Sequence, residues 1–94
     1  MNRGTVLLVE DDPGIARVVD ESLCRAGFRV QWAASVGAAK QALMDTKPSA
    51  CLVDVMLPDG TGFEVLGAVR ETWPHVPVCM LTARDAVTDK LEAF

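Results

Sequence analysis

The 94-residue sequence predicts an α/β domain built on a doubly wound parallel sheet. Apolar, β-rich runs alternate with segments whose apolar residues recur at helical spacing, and the connections between them are short. Half of the residues are hydrophobic, so a chain of this length can build a single core. The order β-α-β-α-β-α-β-α implies right-handed crossovers, with helices on both faces of the sheet.

The first half of the chain predicts a strand, a helix and a second strand. Thr5–Val9 is a continuous apolar run, as in strands buried on both faces. A helix follows, and Gly27 stands where its C-terminal cap is expected. Phe28–Ala33 alternates apolar and polar residues, which is typical of a strand near a sheet edge. The apolar residues that recur along this helix are Ile15, Val18, Val19, Leu23 and Ala26.

A second helix and a third strand occupy the middle of the chain. Ser35 is the expected N-cap of a helix that runs from Val36 to Asp45. Ala50–Asp54 predicts another buried strand, and Leu57–Gly62 carries Pro and Gly where a turn needs them.

The last third of the sequence predicts a third helix, a fourth strand and a fourth helix. The strand is expected at Pro77–Thr82, and the fourth helix begins at about Ala86. We expect the chain to stop inside this helix, so that residues 1–94 form one domain without a fifth strand or a fifth helix. The residues that mark the third helix are Phe63, Leu66, Val69 and Trp73.

The charge balance and the cysteines exclude several classes of protein. Thirteen acidic residues against nine Lys and Arg give a net charge of -4, which argues against a nucleic-acid surface or a basic membrane-binding helix. We expect no secretory signal, because the first apolar run is short and leads directly into acids. Cys24, Cys51 and Cys79 each lie in an apolar stretch without paired metal spacing, so we expect buried thiols in a reducing compartment and a cytoplasmic location.

Several polar residues follow the predicted strands directly. Glu10 and Asp11 come after the first strand, Asp54 ends the third and Thr82 ends the fourth. In the strand order 2-1-3-4, the first and third strands are neighbours, so the acids are expected to converge at one crevice. Taken singly, the acid run could be a solvated loop, Asp54 a turn residue and Thr82 an ordinary strand end.

Converging carboxylates repel one another unless a cation relieves them. A small cluster of hard oxygen ligands suits Mg²⁺ better than zinc. A carboxylate beside Mg²⁺ can attack phosphorus while the metal offsets charge on the phosphoryl oxygens. The hydroxyl of Thr82 could then donate a hydrogen bond to the phosphoryl group.

Asp12 is expected to have a different role from its acidic neighbours. It directly precedes Pro13, and Asp followed by Pro is a favourable start of a helix. We therefore predict that Asp12 is a helix cap.

Three segments of the sequence resemble signature blocks of the receiver domains of two-component response regulators. They are "VLLVEDDPGIARVV", "CLVDVMLPDGTGFEVL" and "VPVCMLTARDA", in the expected order and at the expected separations. The residues of the second and third segments are most similar to those of receivers of winged-helix transcriptional regulators. The resemblance covers essentially the whole chain and implies a flavodoxin-like fold.

The resemblance also implies roles for individual residues. Asp54 matches the phosphoacceptor, which takes a phosphoryl group from a phosphohistidine on a sensor histidine kinase. Glu10 and Asp11 match the acidic pair that binds Mg²⁺ together with Asp54. Met56 matches the position whose backbone carbonyl is a metal ligand. Two further matches are the switch hydroxyl, Thr82, and the small residue that leaves the phosphoryl site accessible, Ala83.

The sequence departs from the family pattern at its C-terminal end. Receivers carry a catalytic lysine after a fifth strand, and Lys40, Lys47 and Lys90 do not match that position. Without this counter-charge we expect Mg²⁺ binding but slow acceptance of phosphate. We also expect the edge of the fourth strand to be exposed, which favours a homo-oligomer.

Two alternatives to a phosphorylatable receiver stay open. A truncated receiver could act only as a dimerising or sequestering interaction module. An aspartyl-phosphate hydrolase is disfavoured, because such enzymes usually place a second acid two residues after the nucleophile, where this chain has Met56. If the chain is a phosphorylatable receiver, we expect it to be a signalling module and not an enzyme.

Overall fold

The computed structural model describes residues 3–81. Within this range a parallel sheet is flanked by helices, and a short antiparallel hairpin, Met56–Leu57 with Gly60–Thr61, follows the third strand. The predicted fourth helix from Ala86 and the predicted strand end at Thr82 lie outside the described residues. The elements are β1 (Thr5–Val9), α1 (Pro13–Arg25), β2 (Arg29–Ala33), α2 (Val36–Asp45), β3 (Ala50–Asp54), α3 (Gly62–Thr72) and β4 (Val78–Leu81).

The strands of the main sheet lie in the order β2-β1-β3-β4, and every neighbouring pair is parallel. This confirms the predicted doubly wound α/β arrangement with strand order 2-1-3-4. Parallel neighbours need a crossover, and α1, α2 and α3 supply the three crossovers between the strands. The carboxyl ends of all the strands therefore meet at one edge of the sheet.

The sheet buries apolar side chains on both faces. Along β1, Leu7 and Val9 belong to the main core cluster with residues of α2 and α3, whereas Val6 and Leu8 alternate to the opposite face. Ala16 of α1 is buried as well. The main cluster contains Leu7, Val9, Ala33, Val36, Ala39, Ala42, Leu43, Cys51, Val53, Leu57, Val65, Val69 and Val76.

The end of α1 is closed by a glycine at the predicted position. Gly27 has a φ of 96°, which an L side chain rarely adopts. The N–H of Gly27 donates to the Cys24 carbonyl, and the N–H of Phe28 donates to the Leu23 carbonyl, each at 3.0 Å. This pair of bonds is a Schellman motif, which satisfies two of the last carbonyls of the helix and turns the chain into β2.

Two large apolar residues expected on the helix stripes are exposed, and so is the smaller Ala26 at the C-cap of α1. Val18 is 64% exposed and Phe63 is 59% exposed. Each lies two positions from a fully packed residue of its own helix, Ala16 in α1 and Val65 in α3. Two positions correspond to about 200° of helical rotation, so these side chains point away from the sheet.

The expectation that all the cysteines are buried is wrong for two of them. Cys51 is buried in β3, but Cys24 and Cys79 are exposed. Cys24 lies on the outer side of α1, where its Sγ donates to Asp20 Oδ1 at 3.1 Å. Cys79 lies between Val78 and Met80, which pack against the core, so strand alternation directs it to the other face of β4.

Candidate functional site

The register of β1 and β3 brings three acids together at the carboxyl edge of the sheet. Val9 is aligned with Val53, so Glu10 and Asp54 follow at the same level on neighbouring strands. One carboxylate oxygen each from Glu10, Asp11 and Asp54 lie within 4.8 Å of one another. Glu10 and Asp54 are buried, whereas Asp11 is exposed. These three residues are called the acidic cluster below.

Burial makes the ionised form of Glu10 unfavourable. Its side chain loses solvation, and the negative charges of Asp54 and Asp11 act in the same direction, so the pKa of Glu10 rises to about 7. The backbone N–H of Asp12 donates to Glu10 Oε1 at 3.1 Å and partly opposes this rise in the pKa. At neutral pH the acidic cluster therefore carries repulsion that a bound cation would remove.

The donor set of the acidic cluster fits Mg²⁺. All of its side-chain donors are carboxylate oxygens, which hard divalent cations prefer, and no cysteine or histidine belongs to the cluster. Magnesium keeps several of its waters when it binds to proteins. The exposed position of Asp11 leaves the solvent side of the acidic cluster open for such waters.

Asp54 ends β3, and the hairpin that follows lies beside it. The N–H of Met56 is 3.4 Å from Asp54 Oδ1, at the long limit of a hydrogen bond. The Met56 side chain is exposed, so it contributes little packing at this point. Its backbone carbonyl, which the family resemblance implies as a further metal ligand, belongs to the hairpin that follows β3.

Gly62 allows α3 to begin directly against the acceptor strand. A Cβ atom at this position would collide with the backbone carbonyl oxygen of Asp54 and would lie 2.9 Å from Val53 Cγ1. The sequence pattern predicts Gly62 only as a turn residue. Its close approach to β3 depends on how the helix packs, which the turn pattern does not contain.

Asp12 caps α1, and its carboxylate is directed at the helix. Its Oδ1 accepts hydrogen bonds from the N–H of Gly14 at 2.8 Å and from that of Ile15 at 3.2 Å. These contacts satisfy N–H groups of the first helical turn, which have no partner within the helix. The run of three acids is therefore divided between the acidic cluster and a helix start.

Asp59 is a polar residue of this region that the sequence analysis missed. Its carboxylate accepts from the N–H of Val36 at 2.8 Å and from that of Gly37 at 3.0 Å, at the start of α2. These two bonds lower the pKa of Asp59. They also tie the loop after β3 to α2. The sequence gives no signal for this contact, because the partners are more than 20 residues apart.

Trp32 is a second residue that sequence reasoning missed. The alternation of β2 accounted for it as a strand residue, but its indole Nε1–H donates to the backbone carbonyl of Glu10 at 2.6 Å. An aromatic side chain on the neighbouring strand therefore contacts the backbone that carries the acidic cluster.

The described lysines lie elsewhere. Lys40 is exposed on α2, and the Lys47 Nζ lies 5.9 Å from the centroid of the Trp73 ring, in the loop that leads to the amino end of β3. Thr82, Ala83 and Lys90 lie outside the described residues. Within residues 3–81, no helix is long and apolar enough to cross a membrane.

Comparison with known proteins agrees with this geometry. The family described as "Response regulator receiver domain" matches residues 6–94. The probable transcriptional regulatory protein TcrX of Mycobacterium tuberculosis is 39% identical over 87 residues, which are 93% of this chain and 37% of TcrX. The uncharacterized transcriptional regulatory protein YkoG of Bacillus subtilis is 40% identical over 91 residues, or 97% of this chain and 40% of YkoG. The chain thus spans about two fifths of these relatives.

Solved structures give the same result. The non-phosphorylated HemR receiver domain from Leptospira biflexa superposes with a TM-score of 0.81 and 29% identity, over 98% of this chain and 74% of that one. The MaeR response regulator bound to beryllium trifluoride has a TM-score of 0.77 and 29% identity, over 100% of this chain and 80% of that one. With the family match, the strand order and the acidic cluster in agreement, the chain belongs to the response regulator receiver domain family.

Proposed function

We propose that this chain is the phosphoacceptor module of a two-component response regulator, and that Asp54 takes a phosphoryl group from a phosphohistidine of a sensor histidine kinase. The observation that carries the proposal is the gathering of Asp54 with Glu10 and Asp11 within 4.8 Å, in a chain of the receiver family. A single buried aspartate could be structural. A set of three acids at the carboxyl edge of a parallel sheet has the composition of a cation and phosphoryl site.

In the proposed reaction, a carboxylate oxygen of Asp54 attacks the phosphorus atom. The new O–P bond forms as the P–N bond to the kinase histidine breaks, and the imidazole leaves with the bonding electron pair. Glu10, Asp11, Asp54 and the backbone carbonyl of Met56 are the proposed ligands of Mg²⁺. When bound, this ion offsets the negative charge that gathers on the phosphoryl oxygens.

The surroundings of Asp54 favour an approach from the side of Asp11. The exposed carboxylate of Asp11 marks the open side of the acidic cluster, whereas Glu10 closes the inner side. A phosphoryl donor can therefore reach Asp54 without displacing the buried acid. The Met56 N–H contact with Asp54 Oδ1, at 3.4 Å, is too weak to compete strongly with a reaction at this carboxylate.

The response to phosphorylation is assigned to residues on sequence grounds alone. We propose that the Thr82 hydroxyl donates to the phosphoryl group and that Ala83 leaves room for it. Such a charge change acts by shifting a two-state element, as in other phosphorylation switches. The module would then signal through conformation or association and would not turn over a substrate like an enzyme.

The regulatory setting of the chain belongs to the same proposal. The relatives named above are transcriptional regulatory proteins. The sensor kinase, a cytoplasmic location and the absence of nucleic-acid binding by this segment itself stay predictions.

Self-association also stays a prediction. Among residues 3–81, β4 pairs with β3 alone, which leaves its other edge available to a second chain. Light scattering at working concentration tests it, and a monodisperse monomer would contradict it.

Phosphorylation with a small donor tests the proposed function. The 94-residue chain is incubated with acetyl phosphate and Mg²⁺, and intact mass is followed over time. We expect a phosphoryl adduct that accumulates slowly on the wild type, because no lysine matches the catalytic position, and that is lost in Asp54→Ala. The matched control, Asp45→Ala, removes an exposed aspartate at the end of α2 and should keep the adduct.

The two alternatives give different outcomes in the same experiment. Donor consumption without an accumulating adduct would favour an aspartyl-phosphate hydrolase. No adduct and no consumption would favour an interaction module that only dimerises or sequesters a partner. An adduct that persists in Asp54→Ala would overturn the assignment of the acceptor.

A further inference from the structure

Trp32 holds the backbone of the acidic cluster from the neighbouring strand. Its indole N–H donates to the Glu10 carbonyl at 2.6 Å, although the two residues are 22 positions apart. On the other side of the same residue, the Glu10 N–H donates to the Ala33 carbonyl at 3.0 Å. Both peptide groups that flank Glu10 are therefore bonded to the segment that contains β2.

The bond from the indole acts where the strand ladder ends. β1 stops at Val9, so regular strand pairing no longer fixes the peptide group between Glu10 and Asp11. That group is planar, and holding its carbonyl oxygen fixes the direction in which the chain leaves towards Asp11. This plane is therefore one of the elements that orient the Glu10 and Asp11 carboxylates relative to Asp54, together with the Asp12 N–H that donates to Glu10 Oε1.

We propose that Trp32 is a positioning residue of the cation site. By holding the Glu10–Asp11 peptide plane, it keeps the Glu10 and Asp11 carboxylates directed at Asp54 and thereby raises the affinity for Mg²⁺. The inference rests on the proposed function, because it requires that the acidic cluster binds the ion. Groups that orient metal ligands commonly change metal affinity without touching the metal.

The packing around Trp32 makes a clean substitution possible. Trp32 is aligned with Leu8 on the α1 face of the sheet, and it is 49% exposed. A cavity of about 160 Å³, lined in part by Pro13 and Ala16, lies beside the ring. A smaller ring at this position leaves the main core cluster intact, so Trp32→Phe is expected to fold.

The chain supplies a matched control in its second tryptophan. The Trp73 indole N–H donates to the backbone carbonyl of Leu43 at 3.0 Å, and this bond is also partly buried. Leu43 lies in the core near the end of α2 and contributes nothing to the acidic cluster. Trp32→Phe and Trp73→Phe therefore each remove one indole–carbonyl bond, but only the first loosens the metal site.

Calorimetric titration with MgCl₂ at constant ionic strength measures the effect. We expect Trp32→Phe to weaken Mg²⁺ binding roughly three- to tenfold, and Trp73→Phe to stay within about twofold of the wild type. Trp32→His, which retains a ring N–H, should recover part of the affinity. Urea unfolding in EDTA provides the comparison, because a merely structural role predicts that affinity follows stability across both tryptophan variants.

The outcomes separate this inference from the proposed function. Wild-type affinity in Trp32→Phe overturns the positioning role while the proposed function stands. An equal loss in Trp73→Phe also overturns it, because the effect would then be general loosening. If the wild type binds no Mg²⁺, the proposed function and the positioning role both fail.

Fluorescence gives an independent reading. The sequence has two tryptophans, so Trp73→Phe leaves Trp32 as the sole emitter. Its emission should change with Mg²⁺ at the Kd found by calorimetry, whereas Trp73 in the Trp32→Phe variant should not respond. Unchanged Trp32 emission at saturating Mg²⁺ would count against the coupling.

Discussion

Replacing Glu10 with Gln separates two effects of this residue: the destabilisation caused by burying its charge, and its contribution to Mg²⁺ binding. The folded protein raises the pKa of Glu10 from 4.5 to about 7, and the side chain is 3% exposed. The pKa of Glu10 is thus higher in the folded protein than in the unfolded chain. The wild type therefore keeps its full free energy of unfolding below pH 4.5 and loses part of it, relative to the neutral Gln variant, as the pH rises through 7. By linkage, Glu10→Gln should gain roughly 3 kcal/mol at pH 8 and less than about 1 kcal/mol at pH 5.

Urea unfolding in EDTA at the two pH values measures this gain. Gln keeps an oxygen that can accept from the Asp12 N–H, so the substitution removes the charge and little else. In Mg²⁺ at pH 8 most of this gain should disappear, since an ion at 100 times its Kd stabilises the wild type by about 2.7 kcal/mol and the variant has lost a ligand. Glu71→Gln, an exposed change on α3, should do neither. Equal gains at pH 5 and pH 8, or no gain in EDTA, would show that the buried charge of Glu10 does not destabilise the fold.

Three further predictions concern the frame around the acidic cluster. Gly62→Ala should lower the free energy of unfolding in urea by about 1–3 kcal/mol, because the added Cβ would collide with the Asp54 carbonyl. Gly67→Ala, on the same helix, adds a Cβ that meets no other atom and should raise the free energy of unfolding by up to about 1 kcal/mol. Similar effects of the two substitutions would contradict the packing of α3. In native thiol labelling, buried Cys51, whose pKa is raised to about 11 by burial, should stay unmodified while the exposed cysteines react. Asp59→Asn should lower the Tm above pH 4 but have little effect on it in acid. The lowered pKa of Asp59 means that its ionised form stabilises the fold, and this stabilisation disappears as the carboxylate becomes protonated. A decrease in Tm that is the same at all pH values would argue against the α2 contact.

The fold followed from the sequence because its signals are local. The bounds of β1, α2 and β3 agree with the predicted ones, since each is set by an uninterrupted apolar run or by a cap such as Ser35. Ser35 Oγ indeed accepts from the Ala38 N–H at 3.1 Å. Parallel topology alone then places Glu10 and Asp54 at the same edge of the sheet.

The remaining features depend on contacts that no local pattern contains. The exposure of Phe63 is decided by which side of α3 meets the sheet. The buried residues of this helix are Gly62, Val65 and Val69, so the predicted stripe through Phe63 was shifted by about one position. The bonds from Trp32 to Glu10 and from Asp59 to the start of α2 join segments more than 20 residues apart. Their side chains look ordinary in sequence, because only the tertiary arrangement gives each one its partner.

If Asp54 accepts a phosphoryl group at a Mg²⁺ site, its phosphorylation must depend on Mg²⁺. Adduct formation from acetyl phosphate is followed by intact mass across a Mg²⁺ titration, with EDTA as the zero point. We expect no adduct in EDTA, a rate that reaches half its maximum near the Kd found by calorimetry, and a modification that maps to Asp54. An adduct that forms equally well in EDTA, or that maps to another residue, would contradict it.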